Sequence, residues 1–292
     1  FIREAKIDGR PWCLHLSYIK PHWPYIAPEP YASMYKGSPI PSPVRTEAER
    51  QNAHPVHKAF MDMRVSQNFS KDGTRETVIP TYMGLIKQID DQLGLLFAML
   101  REEGLDESTL IVFTSDHGDY LGDHWMGEKD LFHEVSVKVP LIIFDPSPEA
   151  DATRGTASDA LVECIDLAPT FIEYFGGTPP THILEGRSLM PFLRGDAPAY
   201  WREYVFSEYD YAMQTPRIAL NMPVRECRLF MVADARYKLM HAPGFRPMLF
   251  DLRDDPQELR DLGEDPGLAD VRERLTEALT RWSLLGHNAI TT

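Results

Sequence analysis

The sequence predicts an α/β fold in which a mainly parallel sheet is flanked by helices and followed by a smaller antiparallel-sheet subdomain. Two short, continuous apolar runs, Thr109–Thr114 and Val139–Phe144, are typical of strands buried on both faces. Two longer segments, about 75–103 and about 157–175, carry apolar residues at the helical spacing of three and four. Alternation of helices with apolar strands favours a parallel sheet covered by helices.

The first residues predict the end of a helix, a turn and a strand. Residues 1–7 have a helical pattern, and Asp8–Gly9 is a turn signal. We expect the run Trp12–Ser17 to form a buried strand. The sequence opens with neither an initiator Met nor the charged and apolar regions of a signal peptide, so we expect it to begin within a longer protein.

Proline dominates the next part of the chain. Nine of the 24 prolines lie before residue 56. Because proline lacks a backbone N–H and blocks helix interiors, we predict irregular structure from Lys20 to Pro55. A long ordered loop within a compact domain is more often functional than a mere connection.

Two amphipathic helices are predicted in the first two thirds of the chain. The first runs from about Arg75 to Glu103 and is ended by Gly104. The second runs from about Ala157 to Phe175 and stops at Gly176–Gly177. The apolar positions of the first helix are Val78, Ile79, Tyr82, Met83, Ile86, Ile89, Leu93, Leu96, Phe97 and Leu100.

The pattern changes after about Gly195. Short aromatic or β-branched segments separated by turns predict an antiparallel sheet. These segments are Tyr204–Tyr209, Arg228–Asp234, Tyr237–His241 and Met248–Leu252. A last helix, about Leu268 to Leu285, has one apolar stripe. We therefore divide the chain into a sheet domain, residues 1–195, and a C-terminal α+β subdomain, residues 196–292.

Composition excludes several classes of protein. The 44 acidic and 30 basic side chains give a formal charge of −14, whereas binding to a nucleic-acid backbone needs an excess of lysine and arginine. No run approaches the roughly 18 apolar residues of a membrane span, so we expect no membrane partner. The 43% hydrophobic content is sufficient for a folded core.

The three cysteines predict no disulfide framework. Cys13, Cys164 and Cys227 are odd in number and widely spaced, and they form no zinc-binding pattern. We interpret them as small buried residues. Reduced cysteines favour a cytoplasmic location.

Candidate ligands follow the first predicted apolar strand. Asp116 and His117 come at its carboxyl end, where open α/β sheets place their ligands. A carboxylate beside an imidazole suits calcium, manganese, zinc or magnesium, and Gly118 would allow close approach of the backbone. A strand-ending turn explains the same residues equally well. Two donors are also fewer than the four to six that a divalent ion needs.

Two basic side chains could act on an anionic group at this sheet edge. Lys129 could hold a negatively charged oxygen, and His22 would be delivered to the same edge by the strand before it. Taken alone, Lys129 is better explained as a solvated loop lysine and His22 as a packing histidine. Other polar residues near the motif could orient ligands or be purely structural. These residues are Asp123, His124 and His133.

Taken together, the motifs resemble the sulfatase branch of the alkaline phosphatase superfamily. The matching blocks are, in order, Pro11–Pro24, Asp90, Ser115–His124 with Lys129, Val139–Ile143, Asp166–Thr170 and Gly186–Leu189. Within that branch, Asp116–His124 and Gly127–His133 are most similar to the phosphonate monoester hydrolases. The resemblance covers essentially the whole chain, through Leu249–Glu258, and implies an alkaline-phosphatase-like sheet.

The resemblance implies roles for four residues. Asp116 and His117 match two ligands of one divalent metal ion, manganese, calcium or zinc. His22 matches the histidine that touches the transferred group or the leaving oxygen, and Lys129 matches the lysine of the same anion pocket. Residues 1–195 then correspond to the C-terminal part of the catalytic domain.

The family's nucleophile motif is absent from the sequence. Sulfatases use a formylglycine made from the Cys or Ser of C/S-x-P-x-R, whose hydrated form attacks phosphorus or sulfur. None of the cysteines opens such a motif, and Ser-x-P-x-R does not occur either. The acidic or amide ligands of the family's first strand are also missing. We therefore expect the formylglycine to lie upstream and the chain to be inactive alone.

The sequence thus predicts a metal-dependent hydrolase of phosphonate monoesters or phosphate diesters. An arylsulfatase or choline-sulfatase-like enzyme is the alternative, because the residues present contact oxygens common to both kinds of ester. A third possibility is a non-catalytic binding module that kept the fold. For the hydrolase we expect a small anionic ester as substrate, no nucleic-acid or membrane partner, and a homo-oligomer.

Overall fold

The computed structural model describes residues 1–71, 73–196 and 198–289, with side chains to residue 284. They form two compact units, which are treated separately below. The first unit contains residues 1–42, 73–111 and 145–147. The second contains residues 43–71, 112–144, 148–196 and 198–289.

The regular elements are numbered along the chain. The α-helices are α1 (Ile2–Asp8), α2 (Tyr31–Met34), α3 (Glu47–Gln51), α4 (Pro55–Met61), α5 (Arg64–Phe69), α6 (Thr74–Glu102), α7 (Glu134–Val137), α8 (Leu167–Tyr174), α9 (Met190–Leu193), α10 (Thr215–Ala219) and α11 (Ala269–Ala289). The strands are β1 (Ile111–Thr114), β2 (Leu141–Phe144), β3 (Val205–Asp210), β4 (Arg228–Ala233), β5 (Tyr237–His241) and β6 (Met248–Asp251).

The long helix α6 organises the first unit, and its predicted bounds are confirmed to within one residue. Gly104, in the left-handed region at φ 65°, follows its end as predicted. Helix α2 packs on α6. The Tyr31 hydroxyl donates a hydrogen bond of 2.9 Å to Asp91, and the Tyr31 carbonyl faces Gly84. The absence of a side chain at Gly84 lets the two helices approach closely.

The predicted strand at Trp12–Ser17 is wrong for the described chain. These residues adopt no regular structure, and Leu14 and Leu16 are exposed. A strand requires hydrogen bonds to a neighbouring strand, and none of the described segments pairs with this one. The helix at the start of the chain is confirmed as α1.

The proline-rich segment is mostly irregular, as predicted. Between Lys20 and Pro55 the chain forms only the short helices α2 and α3. Side chains still pair with each other within it, since the Ser33 hydroxyl donates to the Glu29 carboxylate over 2.6 Å. The segment is therefore an ordered loop with two single-turn helices.

Both predicted apolar strands exist, but they are shorter and less buried than expected. β1 and β2 pair as a two-stranded sheet. Phe113 of β1 and Ile142 of β2 are exposed, so burial on both faces is wrong for the described chain. Two strands alone leave most of their faces to be covered by other elements.

The four C-terminal strands form the predicted antiparallel sheet, in the order β3-β4-β5-β6. Helix α11 covers one face of it, with Leu275 and Leu279 packed on Val232, Leu239 and Leu249. The apolar stripe predicted for the last helix is therefore confirmed. The subdomain boundary at residue 195 stays a prediction.

The helix predicted from Ala157 to Phe175 begins ten residues later than expected. A 3₁₀ turn, Cys164–Asp166, leads into α8. Asp166 accepts a hydrogen bond of 2.8 Å from the Glu163 backbone and also binds the guanidinium of Arg202. The capping box formed by Glu163 and Asp166 fixes the start of the helix. Arg202, which binds Asp166, lies 36 residues further along the chain.

The cysteines do not behave alike. Cys227 is buried, whereas Cys13 and Cys164 are exposed, so the prediction of three buried residues is wrong for two of them. All three are free thiols, in agreement with the expected lack of a disulfide framework. Among the described residues, no helix is both long and apolar enough to cross a membrane.

Replacing Gly84 by alanine should destabilise the first unit. The new Cβ would lie 2.2 Å from the Tyr31 carbonyl oxygen, so α2 would have to move. We expect the free energy of unfolding to fall by about 1–3 kcal/mol, measured by urea denaturation. Gly94→Ala is the matched control, because a Cβ at Gly94 of the same helix meets nothing within 4 Å. Equal midpoints for the two variants would contradict the packing described here.

Candidate active site

The two predicted metal ligands lie directly after strand β1. Asp116 is 85% exposed, and its Oδ2 is 3.5 Å from Nε2 of His117. Nδ1 of His117 lies 2.7 Å from the Gly118 carbonyl oxygen, which can only accept, so the proton sits on Nδ1. Nε2 is then the nitrogen with a lone pair. This arrangement of a metal-binding histidine is common in proteins.

Gly118 allows the close approach that the sequence predicts. Its N–H donates a hydrogen bond of 2.7 Å to the Ser136 carbonyl. A Cβ at this position would lie 1.9 Å from the Val135 carbonyl oxygen. Only glycine therefore fits between the ligand pair and helix α7.

Lys129 belongs to the same unit and is half-buried. The next residue, Asp130, is buried and accepts a hydrogen bond of 2.8 Å from the Tyr209 hydroxyl of β3. Burial raises the pKa of Asp130, while the hydrogen bond from Tyr209 and the charge of Lys129 act in the opposite direction. Lys129 therefore lies beside a buried carboxyl group in the unit that also contains Asp116 and His117.

His22 lies in the first unit, whereas Asp116, His117 and Lys129 lie in the second. The backbone N–H of His22 donates to the Ile19 carbonyl over 3.2 Å, and Nδ1 of its ring is 2.8 Å from the Trp23 carbonyl oxygen. The ring is thereby held in a tight turn of the proline-rich segment. Its predicted contact with the transferred group stays a prediction.

The donors present fit part of a divalent metal site. A carboxylate oxygen and an imidazole nitrogen 3.5 Å apart can share one ion with bonds of about 2.0–2.3 Å. Two donors supply half of the smallest usual coordination number. The assignment of Asp116 and His117 as ligands therefore stays a prediction, and the donor chemistry agrees with it.

A buried ion-pair network, which sequence reasoning missed, anchors the segment that carries Lys129. The ammonium of Lys238 in β5 donates to the Phe132 carbonyl over 2.9 Å, to Glu134 over 2.6 Å and to Glu258 over 2.9 Å. Glu258 also accepts from the Glu134 N–H over 2.6 Å. The only sequence signal is a lysine inside the apolar run of β5.

Two motifs that contribute to the resemblance are structural in this chain. Asp166 accepts a hydrogen bond of 2.7 Å from the Arg187 N–H, and the Thr170 hydroxyl accepts one of 2.8 Å from the Leu189 N–H. A Cβ at Gly186 would lie 2.1 Å from the Ile165 carbonyl oxygen. The motifs Asp166–Thr170 and Gly186–Leu189 therefore hold each other in place.

The histidines that follow the ligand pair are core residues. The rings of His124 and His133 stack with centroids 4.0 Å apart, and both are buried. Burial lowers the pKa of His133 well below its usual value. Asp123 accepts a hydrogen bond of 2.9 Å from the Val44 N–H. For His124 and His133, the structural alternative agrees with their burial.

Comparisons with known proteins bear on the identity of the chain. The sequence profile of the family "Sulfatase" matches residues 1–177, and that of "N-sulphoglucosamine sulphohydrolase, C-terminal" matches residues 122–284. The multifunctional alkaline phosphatase superfamily protein PehA of Trinickia caryophylli is 38% identical over 95% of this chain. An arylsulfatase of Clostridium perfringens is 27% identical over 90% of it.

A solved structure shares the fold. The phosphonate monoester hydrolase of Agrobacterium radiobacter superposes with a TM-score of 0.85 and 30% identity, covering 97% of this chain and 59% of that one. The chain belongs to the sulfatase family, in the alkaline phosphatase superfamily, and has its α/β fold. It spans about half the length of the curated relatives, 56% of PehA and 51% of the arylsulfatase.

Replacing Lys238 by methionine should destabilise the second unit. The side chain of Lys238 is 1% exposed, so its removal leaves Glu258 buried without its cation. We expect the free energy of unfolding at neutral pH to fall by about 3–5 kcal/mol. Lys138→Met is the matched control, because Lys138 also pairs with Glu134 but is 77% exposed, and it should change little.

The loss in Lys238→Met should depend on pH. Burial already raises the pKa of Glu258, and removing the ammonium raises it further. A carboxyl group whose pKa is higher in the folded state binds more protons there, so stability falls as pH rises. The loss should therefore be smaller at about pH 5 than at about pH 8. A loss independent of pH, measured by denaturation at both values, would show that Glu258 is not the unpaired group.

Proposed function

We propose that this chain is the C-terminal part of a metal-dependent hydrolase that cleaves phosphonate monoesters or phosphate diesters with a formylglycine nucleophile. One observation carries the proposal. Asp116 and His117 converge at the end of β1 in a unit that also holds Lys129, within a chain that superposes on a phosphonate monoester hydrolase over nearly its whole length. The formylglycine would come from sequence outside this chain.

Each predicted residue has a defined chemical task in this proposal. Asp116 and His117 would hold one divalent ion, manganese, calcium or zinc, which supplies Lewis-acid chemistry when bound. The Lys129 ammonium would offset negative charge on the ester oxygens, because preorganised charge is often the largest catalytic contribution. His22 would give a proton to the departing oxygen.

A sulfate-ester hydrolase is the second candidate. The match to the sulfatase profile over residues 1–177 and the similarity to an arylsulfatase favour it. Sulfate and phosphonate esters share the tetrahedral oxygens that a cation, a lysine and a histidine can contact. A non-catalytic module remains the rival from another class, and a C/S-x-P-x-R motif upstream in the gene would exclude it.

Location and assembly belong to the same proposal. We propose a cytoplasmic protein because the free thiols are compatible with a reducing compartment. We also propose a homo-oligomer that acts on a small anionic ester, with no nucleic-acid or membrane partner. The acidic composition supports the lack of a nucleic-acid partner.

The substrate class is tested by comparing two esters. The full-length gene product should hydrolyse an aryl phosphonate monoester with a higher kcat/KM than the corresponding aryl sulfate, because we propose phosphonate monoesters as the preferred substrates. Both values come from release of the same phenol. A kcat/KM for the sulfate well above that for the phosphonate would favour the sulfatase instead.

Lys129→Ala should lower kcat in the full-length gene product by about 10²–10³-fold, because one preorganised charge at the reacting oxygens is lost. The melting temperature should stay close to that of the wild type, since Lys129 is half-buried rather than central to the core. Lys138→Ala removes a lysine of the same segment that is 77% exposed, and it should leave kcat unchanged. If Lys129→Ala unfolds the protein while Lys138→Ala does not, the lysine is structural.

A further inference from the structure

Three polar side chains meet inside the core of the second unit, in what we call the Glu49 cluster: Glu49, His124 and His133. Glu49 comes from α3, and Oε1 of its carboxylate is 2.6 Å from Nδ1 of His124. The His124 and His133 rings stack at an angle of 15°. One potential ligand atom from each residue lies within 4.8 Å of those from the other two. The cluster therefore gathers two imidazoles and a carboxylate, and a turn of one ring out of the stack would let both imidazoles face a single ion.

The hydrogen bonds around the cluster leave several buried atoms unsatisfied. Oε2 of Glu49, Nε2 of His133 and Nε2 of the neighbouring His57 have no hydrogen-bond partner among the described residues. The His57 ring lies 5.0 Å from that of His133 and 6.3 Å from that of His124. Buried polar atoms without partners reduce stability, so a ligand for them is to be expected.

The hydrogen bond of His133 orients its ring toward a ligand. Nδ1 of His133 is 2.8 Å from the Tyr120 hydroxyl, which fixes the ring and leaves Nε2 for a ligand.

We propose that the Glu49 cluster binds a divalent transition-metal ion of the zinc class. Imidazole and carboxylate are ligands that zinc takes at about 2.0–2.2 Å. His57, with its unsatisfied Nε2, is the nearest candidate for a fourth ligand. An ion there would satisfy the orphaned atoms at once, and the carboxylate would offset part of its charge.

This site differs in kind from the pair Asp116 and His117. Asp116 is 85% exposed, whereas His124 and His133 are enclosed by the core. A closed set of protein ligands is typical of structural zinc sites. The ion would cross-link α3 to the segment between His124 and His133, which carries Lys129. Its role would be to hold that segment in place.

Metal counting separates the two sites. The full-length gene product carrying Asp116→Ala and His117→Ala is stripped with a chelator and titrated with Zn²⁺ against a chromophoric competitor. We expect it to bind one zinc per chain. Adding Glu49→Gln, which keeps the side-chain volume, should remove that ion, whereas Glu47→Gln, an exposed residue of the same helix, should not. Zinc retained by the Glu49→Gln protein would overturn the proposal, as would the lack of zinc in the parent.

A second measurement needs no change in the cluster, in case Glu49→Gln fails to fold. X-ray absorption at the zinc edge of the parent variant should show at least two imidazole rings, and three if His57 is the fourth ligand, together with oxygen in the first shell. Replacing zinc by Co²⁺ should give the visible absorption of a four-coordinate site. A zinc spectrum without imidazole scattering would place the ion elsewhere and overturn the proposal.

Discussion

One buried ammonium, that of Lys238, ties the C-terminal sheet to the segment that carries Lys129. It donates to a backbone carbonyl and to two carboxylates, of which Glu258 is itself buried. A charge removed from water is tolerated only when its hydrogen bonds are all made. The hydrogen bonds of the network therefore fix the position of the residues around Glu134. The conformation of the candidate site depends on the sheet behind it.

Close backbone approach is the second constraint on the site. Gly118 brings the turn after β1 against the carbonyl of Val135, one residue beyond Glu134. The ligand pair and the Lys129 segment are thus joined by backbone contact on one side and by the Lys238 network on the other. Within the second unit, a rigid framework supports side chains that stay accessible, which is the usual way in which reactive groups are positioned.

Local patterns in the sequence predicted what is determined locally. The helical spacing gave α6, and alternating short segments gave β3 to β6, because each depends on neighbouring residues. The predicted strand at Trp12–Ser17 was wrong because a strand depends on a partner elsewhere in the chain. The predicted start of α8 was ten residues too early because helix capping depends on distant residues such as Arg202. Lys238 and Glu49 were missed for the same reason. Asp116 and His117 could be singled out because they are adjacent in sequence, and their role as metal ligands stays a prediction.

The order of the C-terminal strands has a consequence for folding. Each strand pairs with its successor along the chain, through residues 211–227, 234–236 and 242–247, so every connection in the sheet is short compared with the whole chain. Sheets built from such near contacts form faster than those that join remote segments. The bond from Lys238 to Phe132, by contrast, closes a loop of 106 residues. We therefore expect the sheet to form early in folding. The segment that carries Lys129 should pack against it later.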